Sequence, residues 1–481
     1  MNALMIAALL TAAPQASQPP VAPQPPVATQ PAQAPSSTSA MPGTQAAPAA
    51  GTIPITLAEA RAEGRNNTQA LLALLDLERA QVDVRLSRAP LLPQVSFSTI
   101  AGGALIGRQR VFTTVPDPTT GGFVQESVEV PATTRGNYDI SLSLSQVLYD
   151  QARWSQLEQS GVAVEASRGQ AQEQADAAEL EAINRFFSLY RSQATIQVLE
   201  ATVQRSQEQL ERARALFQAG RVGRGEELSA LVNLGNDRIN LVQSRASLVG
   251  NQTQLAVWLA RPGTDPLAAQ DPGLLTTAPA PAPALEAALA EARQRRPLIV
   301  ALQKQVRVAE LAKDVATAAY FPRLVGQGSY SRGGPSPGPV FTEPRLQNTV
   351  SGSVSLQWDI FSGLATQAQV ARAQASVRTA QLNLEQAQRE LDATVRSAVE
   401  ALTTRIEAAR LSAENREAAA QSLALAEERF KAGAGSTLEV RDAQLKLTQA
   451  ELTLLGNRVD VEIARFALMR AMGILSTGES K

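Results

Sequence analysis

The sequence predicts a mixed α/β membrane protein: a trimeric, twelve-stranded outer-membrane type of β-barrel, four strands from each protomer, continued by a long α-helical coiled-coil barrel. Three observations predict it. After Pro131 no proline occurs until Pro262, and after Pro344 none occurs through Lys481. Short segments that alternate apolar residues with serine stand at the start of both proline-free stretches. The landmarks of the first half then recur, in the same order, in the second, so an internal duplication is expected.

At the N-terminus, residues 1–13 (MNALMIAALLTAA) form a short apolar run ending in small residues, which reads as a secretory signal peptide without the usual basic start. No later run reaches the roughly 18–20 apolar residues of a transmembrane helix. Residues 14–54 are dominated by Pro, Ala, Gln and Ser and read as a disordered or polyproline-like extension. The expected organisation continues with a first structural repeat over 55–262, a linker over 263–284, a second repeat over 285–475 and a short tail over 476–481.

Each repeat is expected to run helix, strand, loop, strand, long helix, glycine turn, helix. Thr56-Leu57-Ala58-Glu59 is a capping-box pattern, so the first helix is expected to begin there. Pro93 and Pro322 mark the passage from helix to strand, because proline disfavours helical geometry in the residue before it. In the second strand of the first repeat Tyr138, Ile140, Leu142 and Leu144 alternate with Asp139, Ser141, Ser143 and Ser145. In its counterpart Val350, Gly352, Val354, Leu356 and Trp358 alternate with Ser351, Ser353, Ser355, Gln357 and Asp359. One face is apolar and the other small and polar over about nine or ten residues, which suits lipid outside and water inside. Tyr138, Ile140, Leu142, Leu144, Val350, Val354 and Leu356 are the candidate lipid-facing residues. Tyr149, Trp154, Trp358 and Phe361 stand where strand becomes helix; they form either an aromatic interface belt or packing at the joint between barrel and helices.

The long helices follow from composition and spacing. Both stretches are rich in Ala, Glu, Gln, Leu and Arg, which favour helix. Phe186, Leu189, Ile196, Leu199, Val203, Leu210, Ala213 and Phe217 follow a heptad seam, as do Val395, Val399, Leu402, Ile406, Ala409 and Ala413. Tyr149 to Phe217 alone would span roughly 100 Å at 1.5 Å per residue. RARALFQAG (212–220) returns as LAEERFKAG (425–433), so Gly220 and Gly433 are expected to turn the chain at the far tips.

Four strands cannot enclose a wide lumen, and open sheet edges are not tolerated in lipid. Three copies supply twelve strands, hence the expected homotrimer embedded in outer-membrane lipid. Composition excludes much else. Without cysteine or histidine there are no disulfides, thiol nucleophiles, Cys/His zinc sites or Ser-His-Asp relays, and no catalytic, cofactor-binding or metal residues are expected. Lys+Arg number 44 against 45 Asp+Glu, so no single-sign field points to nucleic acid.

The repeated proline before a strand, the SQVLYD and WDIFSG strand-to-helix junctions and the RFKAG…LEVRDAQ turn together resemble the outer-membrane efflux protein family, the TolC-like channels, over roughly residues 53–475. The resemblance implies a passive channel in the outer membrane of a Gram-negative bacterium, with a large periplasmic extension. It implies docking to a periplasmic adaptor (membrane fusion) protein and, through it, to an inner-membrane RND or ABC transporter. The cargo would be small molecules or drugs; the alternative is the duct of a type I protein secretion system. By the same resemblance the helix tips, with Gly220, Arg221, Arg224, Glu226, Gly433, Gly435 and Arg441, are the closed entrance and the adaptor contact. Glu439 and Asp442 fall where the family carries acidic residues facing the tunnel axis; otherwise they are a solvated helix face. Gly435 stands where the better-known members carry an arginine that helps hold the entrance, with Arg221, Arg224 and Arg441 as nearby substitutes.

Overall fold

The computed structural model describes residues 52–476, apart from 117, 120, 272, 274–279 and 343–347. The expected signal peptide, nearly all of the extension and most of the C-terminal tail lie outside the described residues. A short strand, β1 (Ile53–Ile55), comes first. It overturns the expectation that the extension runs unstructured to residue 54, because it pairs in parallel with a later strand.

Helix α1 (Leu57–Gly64) starts at the capping box. The Thr56 Oγ1 accepts from the Glu59 N–H at 3.1 Å, and the Glu59 carboxylate accepts from the Thr56 N–H at 2.9 Å. A break at Arg65–Asn67 follows, then α2 (Thr68–Arg88), capped by the Asn67 side chain. The single helix expected here is therefore two. Past Pro93 come β2 (Gln94–Ile106), β3 (Gln109–Pro116), β4 (Phe123–Val130) and β5 (Thr133–Tyr149). The expected loop thus carries a hairpin of its own, and β5 has 17 residues rather than nine or ten. Its first rows (Thr133, Arg135, Gly136, Asn137) lack the alternation that marks the rest, so the pattern concealed them.

Asp150 caps α3 (Gln151–Gln218), accepting from the N–H groups of Ala152 and Arg153. Its 68 residues reach about 100 Å. After the Gly220 turn, α4 (Arg224–Trp258) returns antiparallel and leads to β6 (Leu267–Ala269), the partner of β1. The second half repeats the plan with α5 (Leu285–Arg295), α6 (Pro297–Thr317), β7 (Arg323–Gly334), a short α7 (Pro337–Phe341), β8 (Asn348–Gln357), α8 (Ala365–Lys431) and α9 (Thr437–Ala471). Proline at the start of α6 splits its first helix. Among the described residues no helix is long and apolar enough to cross a membrane.

The main core lies at mid-length of the helices. Ile183, Phe186, Phe187 and Leu189 of α3 are buried against Ile55, Leu255, Leu267, Val459 and Leu475. The heptad seams are its extension: Leu210 and Ala213 pack with Ala230 and Leu234, and Leu423 with Val440, Ala443 and Leu447. Burying these side chains contributes about 1.5–3 kcal/mol per large residue. Buried charges cross-brace the same level. The Arg61 Nε donates to Glu179 at 2.7 Å, while Arg296 and Arg470 both donate to Glu173. Arg61 and Arg296 also donate to the Leu475 and Arg470 carbonyls, fastening the end of α9. Burial pushes the Asp176 and Glu179 carboxyls above the usual carboxylate range, despite the guanidinium groups beside them.

Candidate functional site

Two places carry candidate functional residues: the strand faces and the helix tips. The main sheet has the order β2-β5-β7-β8, with every neighbouring pair antiparallel. Its register brings the alternating positions into rows. Leu142 stands between Phe97 and Tyr330, Leu144 between Val95 and Gly328, and Ile140 between Thr99 and Arg332. Val350 faces Tyr330, Val354 faces Gly326 and Leu356 faces Leu324, while Tyr138 faces Ala101 and Gly334. All seven candidate lipid-facing residues therefore lie on one face. The opposite face carries the serines, and Ser98–Ser141 and Ser329–Ser351 hydroxyl pairs bond across strands at 2.6 and 2.7 Å. Trp358, Tyr149, Trp154 and Phe361 are all exposed at the strand-to-helix joint. The Trp358 Nε1 donates to the Tyr320 carbonyl at 3.0 Å, so this indole ties the α8 side of the joint to the turn before β7.

At the other end the two helical hairpins are built alike. Gly220 and Gly433 have φ of 70° and 75°, the left-handed geometry that lets an α-helix end abruptly. Ser436 then caps α9, accepting from the Glu439 N–H at 3.1 Å, whereas Gly223 caps α4 with no side chain at all. At Gly435 an added Cβ would lie 3.0 Å from the Phe430 nitrogen. The turn folds back on the helix end there, which disfavours an arginine at this position.

The two hairpins meet through polar side chains. The Arg441 guanidinium makes a two-pronged pair with Asp237 at 2.8 and 3.0 Å and also donates to the Ser206 hydroxyl at 3.1 Å. Ser206 itself donates to Asp237. The side chains of this pair are 14% and 6% exposed, so it is desolvated and joins α9 to both α3 and α4. Nearer the tip the Thr437 hydroxyl donates to the Glu226 carboxylate. The Thr202 and Thr448 hydroxyls are 3.1 Å apart further up. Between α4 and α9 lies a groove of about 580 Å³ whose lining includes Asn233, Asn236, Asn240, Arg441 and Gln444.

Of the residues singled out at the tips, the structure brings Glu226 and Arg441 into these ties. Arg221 and Arg224 remain exposed beside the first turn. Glu439 and Asp442 sit on the exposed side of α9, each near a cation: Glu439 is 3.9 Å from Arg429, and Asp442 is 2.7 Å from Lys446. Asp237, Ser206 and Thr437 are functional candidates that sequence reasoning missed. A signal for the first two existed. Asp237 interrupts the series Ala230, Leu234, Asp237, Leu241, and Ser206 the series Val203, Ser206, Leu210, so both are polar residues at seam positions.

A model of the family described as outer membrane efflux protein matches residues 63–261 and 288–474. A search of curated proteins finds no match. Among solved structures the chain is similar to the CusC channel (TM-score 0.73, 18% identity, covering 87% of this chain and 92% of that one). It is similar to a membrane protein from Pseudomonas aeruginosa (TM-score 0.71, 20% identity, 87% and 93%). It also resembles the CmeC outer membrane channel of Campylobacter jejuni (TM-score 0.69, 16% identity, 87% and 86%). At these identities the likeness is one of fold.

Proposed function

We propose, because this chain belongs to the outer membrane efflux protein family, that three copies of it form a passive exit channel conducting small molecules or drugs to the outside. The chain is then an outer-membrane protein with a large periplasmic helical part. Cargo would arrive from an inner-membrane RND or ABC transporter through a periplasmic adaptor seated on the helix tips. The efflux description of the family favours this reading over a duct for protein secretion.

One observation carries the trimer: the fold is open at matching edges. In the sheet β2 and β8 are the unpaired edges, and they run in opposite directions. Placing β8 of one copy beside β2 of the next continues the antiparallel order, and three copies close twelve strands with no edge left in lipid. The helices support the same closure. α2, with Leu71, Leu72, Leu75 and Leu86, and α4, with Leu231, Val232, Ile239 and Val242, leave apolar side chains largely exposed. α8, which packs on α5, α6 and α9 whereas α2 and α4 pack on α3, exposes Leu382, Leu411 and Leu425. An α8 from the next copy would cover these α2 and α4 faces. The family model's two separate matches support the duplication.

In this assembly the apolar sheet face meets lipid and the serine face lines water. Leu142→Arg should impair insertion by about 2–4 kcal/mol near mid-membrane, and Ser143→Arg by much less. The function itself is tested by single-channel recording of the purified protein in planar bilayers together with cell fractionation. An outer-membrane protein that opens water-filled pores is expected. A protein confined to the soluble periplasmic fraction, with no conductance, overturns the reading.

A further inference from the structure

The distal hairpin β3–β4 has no counterpart among the described residues of the second half, where the connection from β7 to β8 contains α7. It continues the β2–β5 ladder in phase. Ile106 pairs with Thr133, and three residues further along each strand Gln109 pairs with Val130. Only Gly107–Arg108 and Pro131–Ala132 interrupt the ladder, and they do so at the same level in both strands. Proline lacks an N–H to donate and glycine lacks a Cβ, so this level is a natural bend.

Because side chains alternate, the phase fixes which face each residue joins. Val111, Val115, Val124 and Val128 continue the apolar face of Phe97 and Leu142, which looks outward in the proposed barrel. Phe112 and Phe123 continue the serine face of Ser98 and Ser141, which looks into the lumen. Both rings are strongly exposed, at 64% and 76%. A two-stranded hairpin is marginal in water by itself, so two bare phenylalanines on one face call for a cover. Lipid cannot supply it, because that face looks toward water. The same face of the neighbouring copies can. At about 3.4 Å per residue the 8-residue strands extend roughly 27 Å. A twelve-stranded barrel with strands about 4.8 Å apart and tilted by about 40° has a radius of only about 12 Å. The hairpin is long enough to reach the axis.

We propose that the three distal hairpins bend over the channel mouth so that Phe112 and Phe123 of each copy meet those of the other two, forming an apolar constriction at the exit. This rests on the trimeric channel reading. Such a ring sheds water readily and resists the leakage of ions, yet yields to bulkier amphipathic cargo. The occupant of the phenylalanine face is thus a second and third copy of this chain.

The chain contains no cysteine, so single cysteines test the idea directly. Phe112→Cys and Phe123→Cys are compared with the outward pair Val111→Cys and Val128→Cys under mild oxidation and with a short bismaleimide. Each preparation is also weighed in detergent to establish that it is trimeric. Three equivalent thiols near one axis should leave up to about two thirds of the chains as covalent dimer. That yield is expected from the phenylalanine positions, with little from the valine positions. Trimers in which the phenylalanine positions stay monomeric, or in which the valine positions link instead, overturn the constriction and leave the channel reading standing. A preparation that is monomeric when inserted in lipid removes both.

Discussion

The two helical hairpins that reach the tips share a length, a turn and a seam, yet they are fastened by residues that the two do not share. α4 and α9 each have 35 residues, and the glycine turns before them have nearly equal φ. Counted from those glycines, Glu226 corresponds to Glu439. Arg441, however, corresponds to Leu228, and Asp237 to Ala450. The buried pair therefore exists in one direction only, from the second hairpin into the first. The difference teaches that a repeated scaffold supplied the shape, while non-equivalent substitutions supplied the tie between its halves. The Arg441–Asp237–Ser206 cluster is the desolvated charged tie among these contacts, and loosening it does not require unfolding either seam.

The largest effect is expected at that cluster. Arg441→Ala or Asp237→Ala leaves a buried charge without its partner, which should cost about 3–5 kcal/mol. Thermal unfolding measures this, and single-channel conductance should rise as the second hairpin comes loose. The double variant Arg441→Ala/Asp237→Ala should cost clearly less than the sum of the singles. Additive costs would mean that the pair is not what joins the hairpins.

A smaller effect separates the two helix starts. Ser436→Ala should cost about 1 kcal/mol by removing the cap of α9, whereas Gly223→Ser should stabilise α4 by only a few tenths. Equal responses at the two turns would show that their local fastening does not differ. Glu439→Ala/Asp442→Ala should leave stability within about 0.5 kcal/mol, since both side chains are exposed and their ion pairs lie at the surface. We expect the double variant to weaken cation selectivity and block by trivalent cations in bilayer recordings. Unchanged selectivity would assign these carboxylates to an ordinary solvated face.

The smallest effect lies at the other end of the hairpins, where Asp176 is buried with one carboxylate oxygen lacking a hydrogen-bond donor. Burial raises its folded-state affinity for a proton, so ionisation opposes folding. The stability available below the carboxylate range is lost as pH rises through the raised folded value. Asp176→Asn should therefore match the parent at low pH and equal or exceed it at neutral pH, by unfolding scans. A variant less stable at neutral pH would mean that the attraction of Arg65 outweighs burial.

Much of this architecture was legible because its signals are repetitive. Missing prolines announced the helices, Thr56 and Glu59 announced a helix start, and the serine alternation announced β5 and β8 and the common face that their register produces. What escaped was short or irregular. β1 and β6 have three residues each and owe their order to one another across more than 200 positions. The β3–β4 hairpin hid in a segment read as loop because Pro116 and Gly121–Gly122 resemble loop punctuation. At the tips, Arg441 was legible as a candidate but its partner was not, because pairing between non-equivalent positions leaves no trace in a repeat. The acidic residues Glu439 and Asp442 stood out by spacing, yet spacing alone does not say which face of α9 looks toward an axis shared with other copies.

Everything proposed for function depends on the open edges at β2 and β8 being closed by other copies of the chain. The mass of the detergent-purified, lipid-competent protein tests that most directly. A particle holding three chains, dissociated only by heating, is the predicted result. A stable single chain in the lipid-inserted state would contradict it.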